Sequence, residues 1–171
     1  MKIYRRVIPK IAKDILRSLL VNKAIEITDG RRDEAELDIA GVFVEYLNNV
    51  EQLNNDTKEA LIRHGFSQDM YGKVKRSLAS NRKLIIDTGA QDFILERVLG
   101  ALFSSENIEE IFAEDHELNK MISLSLGKYL GVDEELDREV RGRLKNLREG
   151  TAEWEIEYSN LIDQMRGQKA I

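Results

Sequence analysis

The side chains that could do chemistry in this chain fall into three groups. The first is an acidic run with one histidine: Glu109, Glu110, Glu114, Asp115, His116 and Glu117. Oxygen and imidazole ligands of this kind suit divalent metals. The spacing argues against a metal centre. Asp115 and His116 are chain neighbours, which do not share a helix face, and Glu110 and Glu114 are the pair that could. The chain has neither an HExxH pair nor a calcium-loop pattern. An acidic helix start, with Asp115 as the cap, accounts for the run more simply. No metal and no cofactor is expected.

The second group is basic. Lys73, Lys75, Arg76, Arg82 and Lys83, together with Arg5 and Arg6 near the N-terminus, are candidate contacts for phosphate or another anion. Tyr4 and Tyr71 lie among them and could stack on bases. The overall pI of about 5.2 runs against a nucleic-acid role, and no reading motif accompanies these residues. The third group would be a catalytic constellation, and none is visible. The two histidines, His64 and His116, stand alone, no serine sits in a nucleophile elbow, and the glycines form no phosphate loop. A catalytic residue is therefore not assigned, and a non-enzyme is expected.

These residues must be positioned by helices. From Ile8 to Val21 the residues Ile8, Ile11, Ala12, Ile15, Leu16, Leu19 and Leu20 form one apolar stripe with basic residues between them, and Pro9 suits the first turn. Asp33 to Gly65 carries Ile39, Phe43, Tyr46, Leu47, Val50, Leu53, Ala60 and Leu61 at mostly three- and four-residue spacing. Gly65 is its stop signal, and Asn48-Asn49 predicts a kink or break in its middle. Ser67 to Asn81 is a further, basic helix. Two short extended pieces, near 24–28 and 84–86, could pair as a small ribbon, marginal by itself, and Ile108 to Phe112, the shifted counterpart of the first piece, reads more helical.

Shifted by 83 residues, the chain matches itself without a gap. Leu16 falls on Leu99, Leu19 on Leu102, Ile39 on Ile122, Tyr46-Leu47 on Tyr129-Leu130, Leu53 on Leu136 and Leu61 on Leu144. There are eleven identities between residues 15 and 62, where ordinary residue usage gives roughly three. This predicts an all-α protein of two tandem related units of about three helices each, residues 1–88 and 89–171. Tyr46, Leu47, Leu53, Leu61, Tyr129, Leu130, Leu136 and Leu144 are the expected core. Trp154 falls on Tyr71, so the tail from Ala152 to Met165 is the counterpart of the basic helix, with Glu153, Glu155 and Glu157 in place of its cations.

The net charge of −5 hides strong segregation. Residues 1–23 carry +6, 24–62 carry −7, 63–83 carry +5, 84–119 carry −8 and the remainder −1. Such blocks can neutralise one another inside one fold. With no cysteine, disulfides and thiolate metal sites are excluded. No apolar run reaches the roughly 18 residues of a membrane span, and no signal-peptide pattern opens the chain, so a cytoplasmic protein with no membrane association is expected.

Met70-Tyr71-Gly72-Lys73-Val74-Lys75-Arg76-Ser77-Leu78-Ala79, with Lys2-Ile3-Tyr4-Arg5 and Ile8-Pro9-Lys10-Ile11-Ala12-Lys13-Asp14-Ile15, resembles the bacterial domain of unknown function family 507. The resemblance covers the first copy fully and the second less clearly. It implies a small, mainly helical cytosolic protein, and it transfers no functional residue. The expected function is a non-catalytic interaction or scaffold role with a protein partner. A nucleic-acid module using helix 67–83 and the basic N-terminus is the alternative, self-association is compatible with either, and a metal-dependent enzyme is the third reading.

Overall fold

The computed structural model describes residues 3–169, with the side chains of 130–134, 163 and 166–169 outside the description. Six α-helices and one two-stranded ribbon follow in order. They are α1 (Ile8–Val21), β1 (Ile25–Ile27), α2 (Arg32–His64), α3 (Tyr71–Asn81), α4 (Ala90–Ser104), β2 (Ile108–Ile111), α5 (Asp115–Arg143) and α6 (Ala152–Lys169). The all-α expectation holds.

Pro9 stands in the first turn of α1, as its missing N–H allows. Three helices end in the same way. At α2 the N–H of Phe66 donates to the Leu61 carbonyl (3.0 Å) and that of Gly65 to Ile62 (3.3 Å), with Gly65 left-handed at φ +63°. This closing pattern satisfies the last carbonyls of a helix. The ends of α1 and α3 repeat it with Lys23 (φ +55°) and Lys83 (φ +54°) in the glycine position. α5 opens on half of a capping box: the Glu117 carboxylate reaches back to accept the N–H of Glu114 at 3.0 Å. The cap residue is thus Glu114, one before the expected Asp115.

Two expectations need correction. The break at Asn48-Asn49 is absent, and α2 runs uninterrupted from Arg32 to His64. Asparagine costs a helix less than about 1 kcal/mol, and the buried side chains on either side, Tyr46 and Leu53, outweigh that. Arg5 also fixes Asn48, donating to its Oδ1 at 2.6 Å. The ribbon is the second. β1 pairs antiparallel with β2, Ile25 opposite Ile111 and Glu26 opposite Glu110, with an irregularity before Ile27–Ile108. Residues 84–86 form no strand. Ile108-Glu109-Glu110-Ile111 lacks the alternation of a half-buried strand, so pairing with β1, not local preference, makes it one.

Contacts group the chain into two compact units: residues 1–49 with 85–130, and 50–84 with 131–171. The units cut across the expected boundary at residue 88, because each takes elements from both halves of the chain. In the first unit Ile11, Ile15, Leu16 and Leu19 of α1 and Ile39 and Phe43 of α2 are buried, with Ile94, Val98 and Leu102 of α4 and Leu118, Ile122 and Leu126 of α5. In the second, Leu53, Thr57 and Leu61 are buried, with Tyr71 and Ala79 of α3, Leu136, Val140 and Leu144 of α5, and Trp154, Tyr158 and Ile162 of α6.

Burial follows the 83-residue shift. The buried positions of α2 are Ala35, Ile39, Phe43, Tyr46, Leu53, Thr57 and Leu61, and those of α5 among the described side chains are Leu118, Ile122, Ser125, Leu126, Leu136, Val140 and Leu144. Tyr46 and Ser125 lack a buried counterpart, since Tyr129 and Val42 are half-buried. Of the expected core, Tyr46, Leu53, Leu61, Leu136 and Leu144 are buried; Leu47 and Tyr129 are half-buried, and Leu130 lies outside the described side chains. Leu47 is next to Tyr46 and therefore about 100° around the helix from the buried line.

Candidate interaction surfaces

The basic helix α3 is held down by its own unit. Lys75 pairs with Glu155 of α6 at 3.7 Å, its side chain only 15% exposed, and its ammonium lies 5.9 Å from the Tyr71 ring centre. Arg82 donates to the Asp56 carboxylate, which also accepts from Gln52 at 3.0 Å. The Arg82 hydrogen bond holds the Asp56 carboxyl below the usual carboxylate range. Tyr71 is 1% exposed and donates to Asn54 Oδ1 at 3.3 Å. Burial first, and then the charge of Glu155, push its phenol up to about 12. A ring so placed has no free face for a base. Lys73, Arg76 and Lys83 are exposed on this unit, and Arg5 and Arg6 are exposed on the other. The seven basic candidates are therefore divided between two units, and two of them hold internal carboxylates.

The second unit has another such network. Arg141 donates from Nε to Asp137 at 2.8 Å and from Nη1 to Glu149, and its guanidinium lies 5.3 Å from the Trp154 ring centre. Tyr158 donates to Asp137 and stacks on Trp154, ring centres 4.8 Å apart. A planar cation suits both the carboxylates and the ring face. The network fixes α6 against α5.

In the first unit, a polar groove of about 430 Å³ is lined by Thr28, Arg31, Glu34, Leu37, Asp38, Glu106 and Asn107. Asp38 is its centre: its carboxylate accepts from the Ser105 hydroxyl and from Asn107 Nδ2 at 2.8 Å. Thr28 donates from Oγ1 to the Glu106 carbonyl at 3.3 Å, and Arg31 pairs with Glu34 at 3.2 Å. These bonds pin the α4–β2 turn to α2. The sequence reading missed Asp38, Ser105 and Asn107. Their signal was asymmetry, since the shifted positions are Met121, Asn22 and Ala24.

The acidic run is exposed at Glu109, Glu110, Glu114, Asp115, His116 and Glu117. His116 Nδ1 lies 3.3 Å from Glu114 Oε2. Among the described residues, no group of three or more His, Asp or Glu side chains is placed to hold a metal ion. None of their helices is long and apolar enough to cross a membrane.

Tyr46 and Tyr129, equivalent under the shift, reach into the opposite half of the chain. Tyr46 packs on Phe93 of the second half (ring centres 6.2 Å) and, within its own half, donates to the Ile85 carbonyl at 3.0 Å. Tyr129 donates to Asp14 and has Lys10 6.0 Å from its ring centre. Lys10 and Phe93 are themselves equivalent, so the two contacts are reciprocal.

Fold and surface together define a helical protein with one antiparallel ribbon, polar networks that brace its helices, and an uneven charged surface. The chain belongs to the family described as Protein of unknown function (DUF507), which matches residues 1–171. No curated protein matches it.

Proposed function

We propose that this is a non-catalytic interaction protein of the bacterial cytoplasm, built on an internal duplication. The duplication is supported by the order helix, strand, long helix, helix, which occurs twice. The shared burial positions and the reciprocal Tyr46–Phe93 and Tyr129–Lys10 contacts support it further. Antiparallel pairing of the equivalent strands β1 and β2 is what a two-fold relation between the halves produces.

One observation carries the interaction role. Among the described residues, six large apolar side chains are more than half exposed: Val21, Leu37, Phe103, Phe112 and Leu124 on the first unit, and Ile62 on the second. Scattered apolar residues are ordinary on a protein surface, whereas a contiguous patch marks association, and we read the grouping on one unit as such a surface. Changing Leu37, Phe103 and Leu124 together to serine should leave the melting temperature near that of the wild type. The same change should abolish capture of a stoichiometric partner by the tagged full-length chain. Equal capture by both proteins would contradict the role.

Nucleic acid is the second reading. The exposed cations Arg6, Lys10, Lys13 and Arg17 favour it, more than α3 does. It predicts binding of labelled duplex that weakens steeply with salt.

A further inference from the structure

On α1, Lys10, Lys13, Arg17 and Val21 follow one another at spacings of three and four, so they share one helix face. All four are exposed, Val21 to 74%. The stripe spans about 16 Å. It has no counterpart on α4, where the equivalent residues are Phe93, Glu96, Gly100 and Ser104. Like α1, α4 buries its apolar face within the first unit. The packing role of such a helix therefore does not require the cations.

The apolar end of this stripe adjoins the acidic face. Just beyond Val21, the Ala24 carbonyl accepts the N–H of Phe112 at 2.8 Å and that of Ala113 at 3.2 Å. Phe112 is 57% exposed and lies between exposed Glu109 and Glu110 on one side and exposed Glu114 and Glu117 on the other. Glu110 faces Glu26 directly across the ribbon. Like charges at such a position destabilise a sheet. The fold thus tolerates an acidic surface that works locally against it. All of these residues belong to one compact unit.

Along the chain of contacts from α1 through Ala24 to the start of α5, cations come first, then Val21, Lys23 and Phe112, and then carboxylates. A surface ordered in that way is complementary to itself turned through 180°. Resting on the interaction role above, we infer that its partner is a second copy of this chain, in a two-fold dimer. Each copy's Lys10–Arg17 stripe lies on the other's β2–α5 carboxylates, and the two apolar centres meet. A two-fold contact uses the same patch on both subunits. Charge at the ends fixes the register and supplies most of the attraction, and apolar burial at the centre adds to it.

The test uses the full-length chain in sedimentation velocity, at low salt and at about 1 M salt, where the screening length falls to about 3 Å. The expected result is a dimer at low salt that dissociates at high salt. Lys13→Glu with Arg17→Glu makes both ends of the surface acidic, and Glu110→Lys with Glu114→Lys makes both ends basic. Each double variant alone should dimerise at least tenfold more weakly while still melting cooperatively as a folded protein. An equimolar mixture of the two should form a heterodimer, because each end then meets its opposite. Restoration on mixing cannot come from a misfolded variant. Phe112→Ser should weaken the wild-type dimer without changing its salt dependence. A monomeric wild type at low salt, or a mixture that forms no heterodimer, would overturn the inference. A monomer that binds labelled duplex through the α1 stripe would also overturn it and assign the stripe to nucleic acid. A monomer whose partner capture still depends on Leu37, Phe103 and Leu124 would overturn self-pairing alone and leave the interaction role in place.

Discussion

Leu53→Ala should destabilise this protein much more than Leu47→Ala, although both leucines sit on α2 and both recur in the 83-residue shift. Leu53 is 0% exposed, whereas Leu47 is half-buried beside the buried line. Burying a leucine side chain fully is worth about 1.5–3 kcal/mol. Truncation in a closed core adds a cavity penalty, for a total of about 2–5 kcal/mol. At Leu47 part of the transfer free energy is lost and solvent can fill the space, so about 1 kcal/mol is expected. Against a typical total of about 5–15 kcal/mol, the first change removes a large share of the stability and the second a small one. Urea unfolding followed by far-ultraviolet circular dichroism measures both. The midpoint should fall steeply for Leu53→Ala with the slope unchanged. Leu61→Ala, at 2% exposure, should behave like Leu53→Ala. Equal losses at Leu47 and Leu53, or a larger one at Leu47, would refute the burial line through Ile39, Phe43, Tyr46, Leu53, Thr57 and Leu61.

Other perturbations follow from the same contacts. The phenols of Tyr46 and Tyr71 are pushed up to about 12, first by burial and then by Asp87 and Glu155 respectively. Their folded pKa lies above the unfolded value, so their stabilising contribution is complete below about pH 10 and is lost as pH rises towards 12. An absorbance titration should show both ionising late, and normal titration in the folded protein would contradict their burial. Lys75→Glu sets a carboxylate against Glu155 and should lower stability by about 1–3 kcal/mol, while exposed Lys73→Glu should stay within about 0.5 kcal/mol; equal melting of the two variants would argue against the Lys75–Glu155 pair. Lys83→Gly should stabilise by about 0.5 kcal/mol, since a left-handed residue with a side chain costs about 1–2 kcal/mol and glycine gives part of that back in chain entropy. Thermal melting tests it, and a destabilised variant would refute the left-handed helix end.

The helices were legible because their signals are local. Period, Pro9 near the start of α1 and Gly65 at the end of α2 each report on a few neighbouring residues. The errors came where distant parts of the chain decide. Asn48-Asn49 reads as a break until the buried neighbours on α2 and the contact from Arg5 are known. Ile108–Ile111 reads as non-strand until β1 is placed beside it. The charge blocks were visible, but their pairing was not: nothing local shows that Lys75 meets Glu155 or that Arg82 meets Asp56. Asp38 was invisible for the same reason, because its partners Ser105 and Asn107 lie more than sixty residues away in the chain.

Under the proposed duplication, the two halves also separate what the fold requires from what it does not. A packing requirement acts on both members of an equivalent pair, so Ile39 and Ile122, Leu53 and Leu136, and Tyr71 and Trp154 are all buried. Where equivalent positions differ in charge, the fold has not imposed either choice. One such difference is answered internally, since basic α3 pairs with acidic α6 through Lys75 and Glu155. The difference between α1 and α4 is of another kind. Arg17 has Asp14 at 3.7 Å and Lys10 lies over Tyr129, yet the stripe they form stays exposed along its length. Internal neutralisation therefore accounts for the helix first read as a nucleic-acid contact better than for the helix first read as core packing. A partner is to be sought on α1, where the exposed cationic stripe has no counterpart in the other half of the chain.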